Sequence, residues 1–116
     1  MEEMKKHTEN RPWGSFEKFC ENKQCTVKIM YLKPNSALSL QYHHHRDEFL
    51  KILSGEAVIM IGKMEMEGRE GDEFFIPHEV RHRIKTNKTK VGVLEISFGN
   101  YSDNDEVRLE DKYKRV

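Results

Sequence analysis

Short segments in which apolar and polar residues alternate follow one another along this chain, and they limit its fold more than any other feature. They recur roughly every 8–12 residues, and none keeps the period of an amphipathic helix for three turns. Turn-forming sequences separate them, among them KPNS at 33–36, SGE at 54–56 and EGREG at 67–71. Many short strands divided by such turns are typical of a β-sandwich or barrel. We therefore predict an all-β fold with a single domain over residues 1–116.

The two ends of the chain depart from this alternation. Residues 1–10 are charged and aperiodic, which predicts a loose N-terminal arm. The tail SDNDEVRLEDKYKR at 102–115 is compatible with a short C-terminal helix that has Asp103 or Asp105 as its N-cap. The predicted strands lie between these two segments.

Composition excludes several classes of function. Lys and Arg together number 20, as do Asp and Glu, so the formal net charge is zero. A nucleic-acid-binding protein normally carries a net positive field, so no nucleic-acid partner is expected. No apolar stretch has the length of a membrane span, and the N-terminus has no apolar signal core, so no membrane partner is expected either. These observations predict a soluble, cytoplasmic protein.

Two cysteines, Cys20 and Cys25, flank the polar sequence ENKQ. If Cys20 ends one strand and Cys25 begins the next, the two side chains can face each other across a hairpin. Small secreted domains usually carry more cysteines than this, so free thiols are favoured over a bridge.

The stretch ALSLQYHHH at 37–45 has two faces of different character if it is a strand. One face carries potential ligands, namely Gln41, His43 and His45. The other is apolar and carries Leu38, Leu40 and Tyr42. If the ligand face points into the barrel, the apolar face points outward, and exposed apolar patches usually mark a partner surface. We therefore expect a homodimer, although loops or the N-terminal arm could cover the patch instead.

Imidazole and carboxylate groups cluster in two places along the chain. His43, His44 and His45 are followed closely by Glu48, and His82 lies on another predicted strand. Neutral imidazole and carboxylate are the usual ligands for a borderline or harder divalent metal. Alternate residues of a strand point the same way, so positions 41, 43 and 45 can approach one ion while His44 cannot.

The surrounding residues resemble the two sequence motifs of the cupins. Glu48 is followed by Gly55 as in the first motif, and Gly71, Pro77 and His82 follow one another as in the second. Four longer stretches are similar to the cupin domain of type II mannose-6-phosphate isomerases, which often follows a GDP-mannose pyrophosphorylase domain. They are RPWGSF at 11–16, LSLQYHHHRDE at 38–48, IPHEVRHRI at 76–84 and LEISFGNYSDNDEVRLEDKYKR at 94–115. The resemblance implies a double-stranded β-helix, the cupin jelly-roll barrel, with one divalent metal ion inside.

The resemblance also implies a set of metal ligands. His45 lies closer to Glu48 than the general cupin motif allows, so the motif spacing selects His43, with Gln41 before it. Type I mannose-6-phosphate isomerases are similar in using such a Gln-x-His pair. The expected ligands are thus Gln41, His43, Glu48 and His82, and His45 either replaces Gln41 or acts as an acid or base at the pocket mouth. This set suits zinc, cobalt, manganese, nickel or iron.

A second departure from the family pattern is Glu79, which stands where the second motif has glycine. A left-handed backbone conformation costs a residue with a side chain about 1 kcal/mol. We therefore expect the turn before His82 to be rebuilt.

The expected activity is that of a mannose-6-phosphate isomerase, which exchanges aldose and ketose through an enediol. His45 is the expected general base, and Glu48 can take that role only if it is not a ligand. The sugar phosphate is expected to contact Arg46, which is also assigned a catalytic role, together with Lys51 and Arg83, and Arg108 is a further possibility. Two alternatives remain open, a non-catalytic cupin that binds a sugar or effector and an iron-dependent cupin dioxygenase.

Overall fold

The computed structural model describes residues 6–102 and 104–113, which form eleven β-strands and no helix. The described residues accordingly contain no long apolar helix that could cross a membrane. In chain order, the strands are β1 (His7–Arg11), β2 (Gly14–Lys18), β3 (Cys25–Leu32), β4 (Leu40–Tyr42), β5 (Arg46–Ser54), β6 (Glu56–Ile61), β7 (Met64–Arg69), β8 (Glu73–Ile76), β9 (His82–Thr86), β10 (Val91–Gly99) and β11 (Val107–Glu110).

The strands form three sheets in which every named pairing is antiparallel. A four-stranded sheet has the order β3-β10-β5-β8, a five-stranded sheet has the order β11-β4-β9-β6-β7, and β1 and β2 form a separate hairpin. The core cluster draws on both large sheets, since Ile52 and Val93 come from the first and Ile59 and Ile84 from the second. The two sheets therefore enclose one apolar core, and the predicted all-β jelly-roll barrel is confirmed.

The aliphatic residues of the alternating segments form this core. Ile52, Ile59 and Val93 have no exposed surface. Each such side chain contributes about 1.5–3 kcal/mol by leaving water. The chain passes from one sheet to the other at Gly55, where φ is 79° and an added Cβ would overlap the carbonyl oxygen of Lys90. The motif glycine is therefore required by the close approach of two backbone segments.

The loose N-terminal arm predicted over 1–10 is wrong for its last four residues. Residues 7–11 form β1, which pairs with β2 from His7 opposite Lys18 to Arg11 opposite Gly14. Residues 1–5 lie outside the described residues. The segment was missed because its side chains are polar on both faces, so the sequence shows no alternation although the backbone pairs.

The predicted C-terminal helix is wrong as well. Residues 107–110 form β11, which pairs with the edge of β4. Asp105 does not cap a helix, because its carboxylate accepts hydrogen bonds from the backbone N–H groups of His44 and His45. Asp103 lies outside the described residues. Pairing with a distant strand edge decided the conformation of this tail, and local sequence does not encode that pairing.

The apolar outer surface lies elsewhere than expected. Leu38 packs against the core and lines an internal cavity instead of pointing outward. The exposed apolar residues on one strand are instead Val27, Ile29 and Tyr31 of β3. The homodimer stays a prediction, and β3 offers the apolar face that it would use.

Candidate metal centre

Three side chains from separate parts of the barrel meet at one end of its interior. His43 directly follows β4, Glu48 lies in β5, and His82 begins β9. The carboxylate oxygen Oε1 of Glu48 lies 3.1 Å from Nε2 of His43 and 3.2 Å from Nε2 of His82. All three residues are buried, and their ligand atoms lie within 4.8 Å of one another. The geometry thus brings together three of the four expected metal ligands.

The backbone sets the orientation of both imidazole rings. Nδ1 of His43 lies 2.9 Å from the carbonyl oxygen of Asp105, and Nδ1 of His82 lies 3.0 Å from that of Val80. A carbonyl oxygen only accepts hydrogen bonds, so each Nδ1 donates a proton to its carbonyl and each ring turns Nε2 toward Glu48. Nε2 is therefore the atom that hydrogen-bonds to the carboxylate here, and a bound cation would take the place of its proton. Metal-binding histidines commonly use their second nitrogen in this way.

The charges of the three groups are strongly linked. Burial by itself would raise the pKa of Glu48, but hydrogen bonds with His43 and His82 hold that pKa far below its usual range. Burial likewise opposes a charge on His43, yet its hydrogen bond with Glu48 raises the pKa of the imidazole. A buried carboxylate is costly unless a positive group faces it. The surroundings of Glu48 therefore favour a positive group, such as a cation, between the two imidazole rings.

Gln41, the fourth expected ligand, lines the same cavity. It lies opposite His82 in the pairing of β4 with β9, and its side chain is buried. Its oxygen Oε1 has no hydrogen-bond partner among the described residues. Such an atom costs about 1–3 kcal/mol when it has no partner. Two imidazoles, a carboxylate and an amide oxygen fit a divalent cation, and direct ligation by Gln41 stays a prediction.

Asp105 holds the segment that carries the histidines. Its carboxylate accepts from the backbone N–H groups of His44 at 3.0 Å and His45 at 2.9 Å, while its carbonyl faces the ring of His43. Glu79 holds the same segment from the other side by donating its N–H to the carbonyl of His43 at 2.6 Å. Glu79 does so at φ 65°, so the expected rebuilding of its turn is wrong and the left-handed conformation is kept.

The triad lines a cavity of about 130 Å³ with three cationic side chains, Lys28, Arg46 and Arg108. The guanidinium of Arg46 is buried, stacks 4.5 Å from the ring of Tyr101 and donates to the carbonyl oxygen of Ser102 at 3.0 Å. Its Nε lies 3.8 Å from Glu48. Arg46 therefore lies beside the site, and its roles in catalysis and substrate binding stay predictions.

Three other predicted site residues lie outside the cavity. Lys51 points to the outer face of β5, where its ammonium contacts Glu17 at 3.0 Å. Arg83 follows His82 directly and so points to the opposite face of β9, where it donates to the carbonyl of Leu38. His45 is exposed because β4 ends at 42 and the alternation assumed for the histidines ends with it. The structure does not bring these three to the triad.

Glu95 is a cavity residue that the sequence analysis missed. Its carboxylate and that of Glu48 both lie within reach of the Ser97 hydroxyl, at 3.3 and 3.4 Å. Burial, followed by the negative charge of Glu48, raises the pKa of Glu95 to about 7, and Lys28 opposes this from 3.5 Å. A single carboxylate on the buried face of the apolar segment VGVLEISF was the available signal.

A jelly-roll barrel with two histidines and a glutamate at one inner end defines the class of cupins. Two solved structures share the fold. Oxalate decarboxylase from Bacillus subtilis aligns with a TM-score of 0.69 at 22% identity over 75% of this chain and 24% of its own. A cupin protein from Bacteroides fragilis aligns with a TM-score of 0.59 at 24% identity over 72% of this chain and 76% of its own. The chain therefore has the cupin fold.

Within this class, the sequence model of the family described as mannose-6-phosphate isomerase C-terminal matches residues 1–111. The chain belongs to that family. It is 36% identical to the xanthan biosynthesis protein XanB of Xanthomonas campestris over 91% of this chain and 23% of that protein. It is 34% identical to the mannose-1-phosphate guanylyltransferase ManC of Salmonella typhimurium over 91% of this chain and 22% of that protein. The chain thus spans less than a quarter of these relatives.

Proposed function

We propose that this chain is a metal-dependent sugar-phosphate isomerase that interconverts mannose 6-phosphate and fructose 6-phosphate. The observation that carries the proposal is the buried triad of His43, Glu48 and His82 at a cavity lined by three cationic side chains. Membership of the mannose-6-phosphate isomerase C-terminal family supports the choice of substrate.

The triad would hold one divalent cation. When bound, such a cation supplies Lewis-acid stabilisation of negative charge that develops on oxygens of the sugar. The protein keeps the triad oriented, because the carbonyl oxygens of Asp105 and Val80 fix the two rings from behind. Gln41 adds a buried carbonyl oxygen that can accept from a sugar hydroxyl or ligate the ion.

Proton transfer between the two sugar carbons needs a general base close to the substrate. His45 is exposed and does not line the cavity, so we assign this role to Glu95, a cavity carboxylate outside the triad. The hydroxyl of Ser97 donates to Glu95 at 3.3 Å and orients it. The general base therefore comes from β10, a strand that holds none of the proposed ligands.

The phosphate group of the substrate needs cationic side chains that point into the cavity. Lys28 and Arg108 line the cavity, so we assign to them the contact with the phosphate that the sequence analysis expected of Lys51 and Arg83. Arg108 lies 2.7 Å from Glu106, which fixes its position at the wall. Arg46 stays beside the triad, where its guanidinium places positive charge next to Glu48.

The experiment is an assay of the full chain, loaded in turn with zinc, cobalt, manganese, nickel and iron, for conversion of mannose 6-phosphate to fructose 6-phosphate. We expect turnover with at least one metal and a fall in kcat/KM of at least about 100-fold in His43→Ala and in His82→Ala. His44→Ala is the matched control, since His44 is exposed and adjacent in sequence, and it should keep the activity.

Binding of mannose 6-phosphate without turnover under every metal would contradict the isomerase and favour the alternative of a non-catalytic binding protein. Unchanged turnover in both histidine variants would contradict the role of the triad.

A further inference from the structure

A pair of thiols lies outside the cavity, between the N-terminal hairpin and the barrel. Cys20 follows β2, and Cys25 is the first residue of β3. Their sulfur atoms lie 3.7 Å apart, and both thiols are free and partly buried. The four residues between them turn the chain back on itself, with Asn22 in the left-handed region at φ 53°. The fold thus holds two cysteines in contact at a place that small molecules can reach.

The sulfur separation of 3.7 Å is short enough to close to a disulfide bond. A bonded pair has a sulfur separation of about 2.05 Å, and its Cβ atoms are separated by roughly 3.5–4.5 Å. Sulfur atoms already in contact can reach this separation through side-chain rotation in a short surface loop. Burial, and then the hydrogen bond with Cys25, raises the pKa of the Cys20 thiol. Cys20 therefore lacks the lowered pKa of a catalytic thiolate, which favours slow exchange at equilibrium.

The loop between the two cysteines also contacts the end of β10, close to residues that pack beside the metal centre. Gly99 donates its N–H to the carbonyl of Gln24 at 3.2 Å, and Cys25 pairs with Phe98. Two residues beyond Gly99, the ring of Tyr101 stacks on Arg46 at the cavity. A covalent link between the cysteines would thus join the end of the β1–β2 hairpin to β3. β3 pairs with β10, and β10 pairs with β5, which begins at Arg46.

We propose that Cys20 and Cys25 form a reversible intramolecular disulfide by exchange with a small-molecule disulfide of the glutathione type. One thiolate attacks the small disulfide, forms a mixed disulfide and releases one small thiol. The second thiolate then attacks the protein sulfur of the mixed disulfide and releases the other small thiol. The two cysteines lose two electrons and two protons, and the small disulfide is reduced to two thiols. This inference does not depend on the isomerase proposal.

The test equilibrates the full chain with mixtures of reduced and oxidised glutathione, traps free thiols by alkylation and locates the linkage by peptide mass mapping. We expect a product with a bond between positions 20 and 25 whose mass, before alkylation, is about 2 Da below that of the reduced chain. Because the fold brings the thiols together, the equilibrium constant for bridging should be at least about tenfold higher in the native chain than in the same chain in denaturant. By linkage, the oxidised chain should also melt at a higher temperature than the reduced chain.

The matched controls are Cys20→Ser and Cys25→Ser, each of which should take up one glutathione and form no internal bridge. Two glutathione adducts on the native chain with no bridge would overturn the proposal. So would bridges only between chains, or a native equilibrium constant no higher than that of the denatured chain.

Discussion

The two ends of the barrel interior are built from the same strands and differ sharply in chemistry. On β5, Glu48 is followed on the same face by Leu50, which lines the inner wall of the cavity, and then by Ile52, which lies beyond it. On β9, His82 is followed in the same way by Ile84 of that inner wall. One end is therefore polar and ionised, and the other is aliphatic and closed.

The difference separates what stabilises the fold from what equips it for chemistry. The aliphatic end gains free energy from burial, whereas each ionised group buried at the polar end costs several kcal/mol unless it is paired. The polar end is tolerated because Glu48 faces two imidazoles and because Asp105 ties their segment to the tail. Changes at the polar end should therefore affect mainly ligand binding, and changes at the aliphatic end should affect mainly unfolding.

The largest effect is expected at the carboxylate shared by the two rings. Glu48→Gln keeps the shape of the side chain and removes the negative charge that faces both imidazoles. We expect the affinity for cobalt or zinc, measured by calorimetric titration, to fall by at least about 1000-fold, beyond the usual loss for residues that only support a ligand. An equal loss in Glu106→Gln, a carboxylate at the wall of the same cavity, would contradict a specific role for Glu48.

The next effect tests the aliphatic end. Ile59→Ala removes a side chain that has no exposed surface, so it should lower the free energy of unfolding by about 2–5 kcal/mol in denaturant titration. Metal affinity of the folded variant should stay within about threefold of wild type, because the substitution lies outside the cavity wall. A loss of metal affinity comparable to that of Glu48→Gln would show that the two ends are not separable.

A smaller effect is expected at the link between the tail and the histidine segment. Asp105→Asn replaces a carboxylate that accepts two backbone N–H groups by an amide that offers one accepting oxygen. We expect metal affinity to fall by about 10-fold, since His43 loses part of its support. Asn104→Asp is the neighbouring control and should leave the affinity unchanged. An unchanged metal affinity in Asp105→Asn would show that other contacts hold the histidine segment in place.

The smallest effect concerns the turn before His82. Glu79→Gly relieves a left-handed backbone conformation and should raise the free energy of unfolding by about 0.5–1 kcal/mol in denaturant titration. Glu70→Gly, in a turn without positive φ at that residue, should be neutral or destabilising. A lower free energy of unfolding in both variants would contradict this. It would show that the Glu79 side chain stabilises the fold by more than its left-handed backbone conformation costs.

Alternation and turn residues predicted the barrel because both are local properties of the strands. The triad could be predicted as well, since the motif spacing selects His43 and Glu48 on one side and His82 on the other. The placements of Lys51 and Arg83 were wrong for a reason that the sequence already contains, because each is an odd number of residues from a ligand on the same strand.

Other parts of the site depend on contacts between distant segments. Asp105 lies about sixty residues from the backbone it holds, and the tail is a strand only because β4 offers it an edge. Glu95 approaches Glu48 across two paired strands. Such pairings follow from tertiary structure and leave no local periodicity.

The most direct test of the metal centre is anomalous diffraction from crystals of the protein grown with cobalt. The structure predicts one strong peak per chain, within coordination distance of Nε2 of His43, Nε2 of His82 and a carboxylate oxygen of Glu48. An anomalous map with no peak between these atoms, or with its peaks only at exposed surface side chains, would contradict the assignment.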